Sequence, residues 1–302
     1  VIRIGVDVGG TKIEIIALDA AGGTLLRRRV PTPAGSYDAI LALIAALVRE
    51  AELELGERCT LGVGTPGALS PAGELLRNSN SECLNGRPVR SDLERALGRE
   101  IRMENDANCF ALSEAVDGAA AGAATAFGVI LGTGVGGGIV VAGRVLGGAN
   151  AIAGEWGHNP LPWPTDEERP GAPCYCGRSG CIETWLSGPG LAADHERRTG
   201  IKLPALEIAA AAGRGEPDAQ RTLSRYVSRL ARALASVINL LDPDVIVLGG
   251  GLSNLALLYD EVPRRWGEWI FSDAVRTRLV PNRHGDSSGV RGAAMLGGSR
   301  EG

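Results

Sequence analysis

One short pattern occurs twice in this chain and limits what it can fold into. Gly5-Val6-Asp7-Val8 runs into Gly9-Gly10-Thr11 and then a second apolar segment from Ile13. Gly128-Val129-Ile130-Leu131 runs into Gly132-Thr133-Gly134 and then Gly138-Ile139-Val140-Val141. Each reads as an apolar strand, a Gly turn and a return strand. A weak internal duplication of this kind predicts two related lobes with a central cleft, joined near the Ala/Gly-rich residues 118–122. The 302 residues are ample for two cores. Glycine, at 44 residues, far exceeds the usual share of about 7%. It gathers in short motifs without a period, so it marks tight turns rather than low complexity.

The rest of the pattern is α/β. Residues 2–30 read as a β-meander. Ser36 then caps a helix carrying Tyr37, Ile40, Leu41, Ile44, Leu47, Val48 and Ala51 at helical spacing. Leu61–Gly64 is a strand leading into Thr65-Pro66-Gly67, residues 78–86 are loop, and a short helix runs from Ser91 to near Gly98. Ile101–Glu104 is a strand and Asp106 opens the next helix. Beyond the second hairpin, residues 143–186 have few periodic signals. A long helix with Leu223, Tyr226, Val227, Leu230, Ala231, Leu234 and Ile238 on one stripe stops at Asp242-Pro243. Val245–Leu248 is a buried strand ending in Gly249-Gly250-Gly251, and Gly289–Leu296 is a small-residue helix suited to close packing. The expected division is a small N-terminal lobe, residues 1–118, with a C-terminal helix at about 288–302 packing back on it. A larger lobe, residues 119–287, holds the irregular loop.

Formal net charge is −4, with no basic stripe to meet a phosphate backbone, so nucleic acid is not an expected partner. No apolar run reaches the ~18–20 residues of a membrane span. The first residues enter a strand without a charged leader or cleavage site, which predicts a cytoplasmic protein.

Several motifs carry chemistry. In Asp7-Val8-Gly9-Gly10-Thr11-Lys12 the bare glycines let backbone N–H groups approach phosphate oxygens, and Asp7 at the strand end can hold Mg²⁺ through water. A hairpin turn alone needs only Gly-Gly. Gly132-Thr133-Gly134 through Gly138 is read as a second such loop. At Gly249-Gly250-Gly251 two readings stand side by side: an adenosine close to backbone, or close packing. Asn105-Asp106 suits a helix N-cap, and Asp106 there also suits a base that orients an acceptor hydroxyl in phosphoryl transfer; both can hold together. His158, Cys174, Cys176 and Cys181 supply three thiolates and an imidazole, a closed structural Zn²⁺ set that would pin the irregular loop. Buried free thiols are the alternative, and the Gly177, Arg178, Ser179 and Gly180 between them argue against it. Glu155 and Glu183 bracket that loop and, with Asn80, offer groups suited to sugar hydroxyls.

Together, Asp7–Lys12, Asn105-Asp106, Gly132–Gly138, Glu155-Trp156-Gly157-His158 and Cys174-Tyr175-Cys176-Gly177 through Gly180-Cys181-Ile182-Glu183 resemble the ROK family of sugar kinases across essentially the whole chain. The resemblance implies an actin-like ATPase (ribonuclease H-like) fold with a zinc-pinned loop. It implies Asp106 as general base. Gly67, Asn80, Asn105, Glu155, His158 and Glu183 would lie on the sugar, with His158 also ligating zinc. The nucleotide site would use Asp7, Gly9, Gly10, Thr11, Lys12, Gly132, Thr133, Gly134, Gly249, Gly250 and Gly251, with ATP and Mg²⁺ as cofactors. It further implies a homodimer.

Within the family, Asn78-Ser79-Asn80-Ser81, Leu84-Asn85-Gly86, Glu155–Trp163 and the segment after His284 look most like bacterial fructokinases of the manno-fructokinase kind. The N-acetylglucosamine kinases are next, sharing Ala107–Ala115, Gly132–Gly138 and Gly249–Ser253. Cys83 stands where those fructokinases commonly carry Trp, with Glu82 beside it. The expected reaction is ATP-dependent phosphorylation of a hexose at its primary hydroxyl, D-fructose first, with N-acetylglucosamine, mannose and glucose as alternatives. The family's transcriptional repressors carry a winged helix-turn-helix before the first strand; this sequence opens on the strand itself, so a kinase is expected.

Overall fold

The alternating residues that open the chain form β1 (Arg3–Val8), with Ile4, Val6 and Val8 buried. Gly9 turns the chain back: its N–H donates to Lys12 O at 2.9 Å. β2 (Lys12–Leu18) and β3 (Thr24–Pro31) complete an antiparallel meander. In α1 (Tyr37–Leu55), the Ser36 side chain accepts from Ala39 N and Gly56 ends the helix in the left-handed region. There follow β4 (Thr60–Thr65), the short pair β5 (Ala68–Leu69) and β6 (Leu76–Arg77), α2 (Val89–Leu97), β7 (Arg102–Asn105) and α3 (Asp106–Val116). The second half runs β8 (Thr125–Leu131), β9 (Val135–Val141), β10 (Arg144–Val145), α4 (Glu183–Leu186), α5 (Gly188–Thr199), α6 (Ala205–Gly213), α7 (Pro217–Leu241), β11 (Val245–Gly249), α8 (Leu257–Trp266), β12 (Arg278–Pro281) and α9 (Ser288–Leu296). These assignments come from a computed structural model that describes residues 1–33, 35–72, 74–79 and 81–297.

The duplication is present in the topology. One sheet has the order β3-β2-β1-β4-β7 and the other β10-β9-β8-β11-β12. In each, the first strand of the half sits centrally. An antiparallel hairpin lies on one side, and on the other are strands added in parallel, β4 and β7 in one sheet and β11 and β12 in the other.

Two compact units result. The first holds residues 1–121, 138–153 and 286–302, and the second residues 122–137 and 154–285. In the first unit, Ile4, Val6, Ile13, Ile15, Ile40, Ile44, Val63 and Leu93 form the core. α9 crosses β1 and β4 and lies on α3. That approach requires Gly292, because a Cβ there would fall inside the carbonyl of Cys109. In the second unit, Phe127, Val129, Trp185, Tyr226, Leu230, Leu234, Ile246 and Leu248 are buried.

Three boundaries differ from the sequence expectation. α2 begins at Val89 after Pro88, ahead of Ser91. α7 begins at Pro217, more than a turn before its apolar stripe, because proline suits the first helical position. The segment read as one Gly loop, residues 132–138, divides: 132–134 is the turn, and Val135 already starts β9. Its glycines are there for space. A Cβ on Gly137 would lie 2.7 Å from Gly154 O, and one on Gly138 would overlap the carbonyl of Ala107.

Candidate active site and metal centre

In the first unit, β1 and β7 deliver their ends to one acidic corner. Asp7 sits between Gly64 and Gly289, whose bare α-carbons leave room for its carboxylate: a Cβ at those positions would lie 3.6 and 3.3 Å from its oxygens. Burial, reinforced by the charges of Asp106 and Glu14, pushes the Asp7 carboxyl up to about 7. Glu14 is itself buried and held by Arg27 at 2.6 Å and Arg29 at 2.6 Å. Beyond Asp7, Gly10, Thr11 and Lys12 are exposed on the turn, and Thr32 Oγ1 braces it by donating to Gly9 O at 2.7 Å.

The β7–α3 junction builds the rest of this corner. Asn105 is the N-cap; its Oδ1 accepts from Ala107 N at 2.8 Å and Asn108 N at 3.1 Å. Its carbonyl is thereby committed to the helix, and what the side chain offers a ligand comes from Nδ2. Asp106 is the first helical residue, half-buried, with Oδ1 accepting from Ala107 N at 2.8 Å. A carboxylate in the first turn is favoured by the helix dipole. Sequence reasoning missed the pair beside it. Glu104 Oε2 accepts from Asn108 Nδ2 at 2.9 Å and from Asn105 N at 3.3 Å, so Glu104 and Asn108 brace the junction. The signal was a polar residue one turn along from Asn105 on a face that is otherwise buried. Gly67, with φ +81°, is required by the backbone of residues 77–79 around it. Asn80 lies outside the described residues.

In the second unit, Glu183 opens α4 and its Oε2 accepts from Val135 N at 2.9 Å, tying down the Gly132–Gly134 turn. Gly188 N donates to Gly132 O at 2.8 Å from the other side. Glu155 is half-buried; burial raises its carboxyl above the ordinary range, the Glu183 charge adds to this and His158 opposes it. Gly250 has φ +80°, and a Cβ there would lie 2.5 Å from Leu131 O, so close packing explains this glycine. Gly251 faces open space and Gly249 ends β11.

The irregular loop closes on His158, Cys174, Cys176 and Cys181, whose ligand atoms all lie within 4.8 Å of one another. Cys176 Sγ and Cys181 Sγ are 3.6 Å apart, and Cys174 Sγ is 3.5 Å from His158 Nδ1. A tetrahedron with Zn–S bonds of about 2.3 Å has edges of about 3.8 Å, so the donor set fits the ion. The thiols are unequal: burial lifts Cys174 and drives Cys181 up to about 12, while the Arg178 backbone N–H draws Cys176 down to about 6. A divalent cation would offset that crowding of charge. His158 Nε2 lies 2.9 Å from Tyr175 Oη, so both ring nitrogens are engaged.

The profile of the ROK family matches residues 3–299. The chain belongs to the ROK family. It is 42% identical over 296 residues, covering 97% of this chain and 98% of the relative, to an N-acetyl-D-glucosamine kinase of Vibrio cholerae. Among solved structures it is similar to a ROK hexokinase from Thermus thermophilus, with TM-score 0.87, 32% identity and coverage of 98% and 97% of the two chains. It is also similar to a ROK family glucokinase from Streptomyces griseus solved with glucose and AMPPNP, with TM-score 0.79, 28% identity and coverage of 98% and 99%. The fold is the actin-like ATPase fold of these ROK kinases.

Proposed function

We propose that this ROK-family sugar kinase transfers the γ-phosphoryl group of ATP to the primary hydroxyl of N-acetyl-D-glucosamine. The supporting observation is the 42% identity, along nearly the full length of both chains, to a kinase of that name. Fructose, the expected acceptor from residues 78–86 and 155–163, becomes the competing substrate.

Asp106 is assigned as the base. It orients the acceptor hydroxyl and takes its proton as the new O–P bond forms and the bond from the γ-phosphorus to the bridging oxygen breaks. A base favoured in its ionised form suffices, because the transition state is loose and proton transfer is late. Asn105 offers Nδ2 to the sugar, and Glu155 and Glu183 are assigned to its other hydroxyls; His158 joins them through Nε2 once a sugar hydroxyl takes the place of Tyr175 Oη. The glycine turns at residues 9–12 and 132–134 are assigned to the phosphates. Asp7 is the residue to hold the Mg²⁺ that accompanies ATP, since its crowded, partly protonated carboxyl is the kind of group a divalent cation draws into the ionised form. Zn²⁺ in the Cys/His set would supply no chemistry to the transfer; it would hold the loop that carries Glu155 and leads into Glu183.

The experiment is an ADP-release assay with N-acetylglucosamine, fructose, mannose and glucose, scored by kcat/KM. N-acetylglucosamine is expected to rank first; fructose or glucose ranking first would overturn the assignment.

A further inference from the structure

The junction that carries Asp106 also walls a cavity of about 190 Å³ within the first unit, well above the ~10–15 Å³ that one water needs. Glu104 and Asn105 belong to its lining, with Leu69 and Met103 on the apolar side. Other polar groups around it are already committed or sealed. Glu104 Oε2 accepts from Asn108 Nδ2 at 2.9 Å and from Asn105 N at 3.3 Å. Asn105 Oδ1 caps α3, and Asn108 Oδ1 is closed off from solvent. Arg90, also in the wall, is paired with Glu74. Two atoms of the junction stay open. Glu104 Oε1 and Asn105 Nδ2 have no hydrogen-bond partner among the described residues, and neither is among the atoms closed off from solvent.

These two atoms specify an occupant. A carboxylate oxygen accepts and an amide N–H donates. The Glu104 charge repels an anion, and the Asn105 amide hydrogens offer a cation nothing to bind. Neighbouring hydroxyls suit both atoms, because a hydroxyl donates through its hydrogen and accepts through its lone pairs. Leu69 and Met103 suit the C–H edges between those hydroxyls. A sugar ring carries both kinds of group.

We propose that Glu104 is a sugar-binding residue of this kinase: its Oε1 accepts from one ring hydroxyl of the acceptor while Asn105 Nδ2 donates to a neighbouring one. The assignment rests on the sugar-kinase reading above and adds to it a carboxylate that the motifs did not single out.

The test uses the full chain, Glu104→Gln, and the 1-, 3- and 4-deoxy analogues of N-acetylglucosamine, one for each ring hydroxyl. Glutamine keeps a carbonyl oxygen for Asn108 Nδ2 and turns an NH₂ toward the cavity, so an acceptor becomes a donor there. Isothermal titration should show N-acetylglucosamine binding at least ~10-fold more weakly to the variant, the scale of a hydrogen bond to a charged group, with the KM for ATP unchanged. Wild-type sugar affinity in the variant overturns the proposal. In the wild type, one of the three analogues should lose at least ~10-fold against the parent sugar. In Glu104→Gln that same analogue should match the parent within ~2-fold, because the partner of the missing hydroxyl is already gone. If every analogue loses as much in the variant as in the wild type, Glu104 only braces the junction and the proposal falls. If the wild type binds glucose and not N-acetylglucosamine, the N-acetyl assignment falls and the same cycle on the deoxyglucoses decides the role of Glu104. If it binds no hexose, both fall.

Discussion

Asp106 carries two demands on one side chain. Its Oδ1 accepts from Ala107 N, and the same carboxylate is assigned to receive the acceptor proton. Replacement by Asn keeps an acceptor for the helix while removing the base. Asp106→Asn is therefore expected to retain the wild-type circular dichroism spectrum and sugar affinity while kcat falls by at least ~10²; wild-type turnover would remove Asp106 from the reaction. The Asn105-Asp106 dipeptide was legible in the sequence because cap preferences are local. Glu104 and Asn108 were not, because their partnership depends on a strand end and a helix first turn meeting in one orientation. His158 is instructive in the same way. The sequence assigns it both to metal and to sugar, and the structure engages both ring nitrogens, one toward Cys174 and the other toward Tyr175.

Among the elements, the loop with the Cys/His cluster and α9 depend on long-range contacts in different ways. Residues 154–182 contain short 3-10 turns and two isolated β-bridges, Pro160–Cys181 and Pro173–Ser179, but no longer helix or strand. A metal ion on the four-ligand cluster would supply a staple, and such sites contribute folding free energy directly. Elemental analysis should find about one zinc per chain, the ratio of a closed four-ligand site. Stripping it with a chelator should lower Tm and abolish sugar binding before ATP binding; active protein free of zinc would refute this role. For α9 the constraint is steric. Gly292→Ala places a methyl inside the carbonyl of Cys109, so α9 and α3 must separate. The expected loss is about 1–3 kcal/mol, the usual cost of overpacking, read by urea unfolding. A variant as stable as the wild type would show that the helices have slack. The small-residue composition of residues 289–296 announced close packing, but its partner could not be named from sequence, since α3 lies more than 170 positions away.

At the scale of the molecule, the acid stability of the second unit rests on charges that periodicity did not reveal. Arg229 and Arg232 lie on the buried side of α7, where the apolar stripe leads one to expect hydrocarbon. They hold Glu168: Arg229 Nε and Arg232 Nη2 each lie 2.8 Å from its Oε1, and Arg232 Nη1 lies 2.9 Å from Oε2. Arg229 also reaches Asp194 at 3.1 Å. Burial opposes ionisation of Glu168, but the hydrogen bonds from Arg232 and Arg229 outweigh it and bring the carboxyl down to about 2. A folded-state value below the unfolded one, about 4.3 for glutamate, means the contribution is fully present above that range. It is lost as pH falls toward about 2. Stability should therefore fall with pH between those limits in the wild type and change less in Glu168→Gln, and that variant should lose roughly 3–5 kcal/mol at neutral pH, since buried Arg232 loses its carboxylate partner and Arg229 keeps only Asp194. Identical pH profiles would contradict this. By itself, the sequence determined the repeated strand–turn–strand units, the candidate Cys/His ligand set and the helix-start carboxylate, because each is written in residue types within a single stretch of chain. Only tertiary structure decided that Asn108 is buried against Glu104, that residues 135–138 extend a strand, and that two arginines are buried against Glu168. Burial and pairing arise where distant segments converge, and no local spacing encodes that.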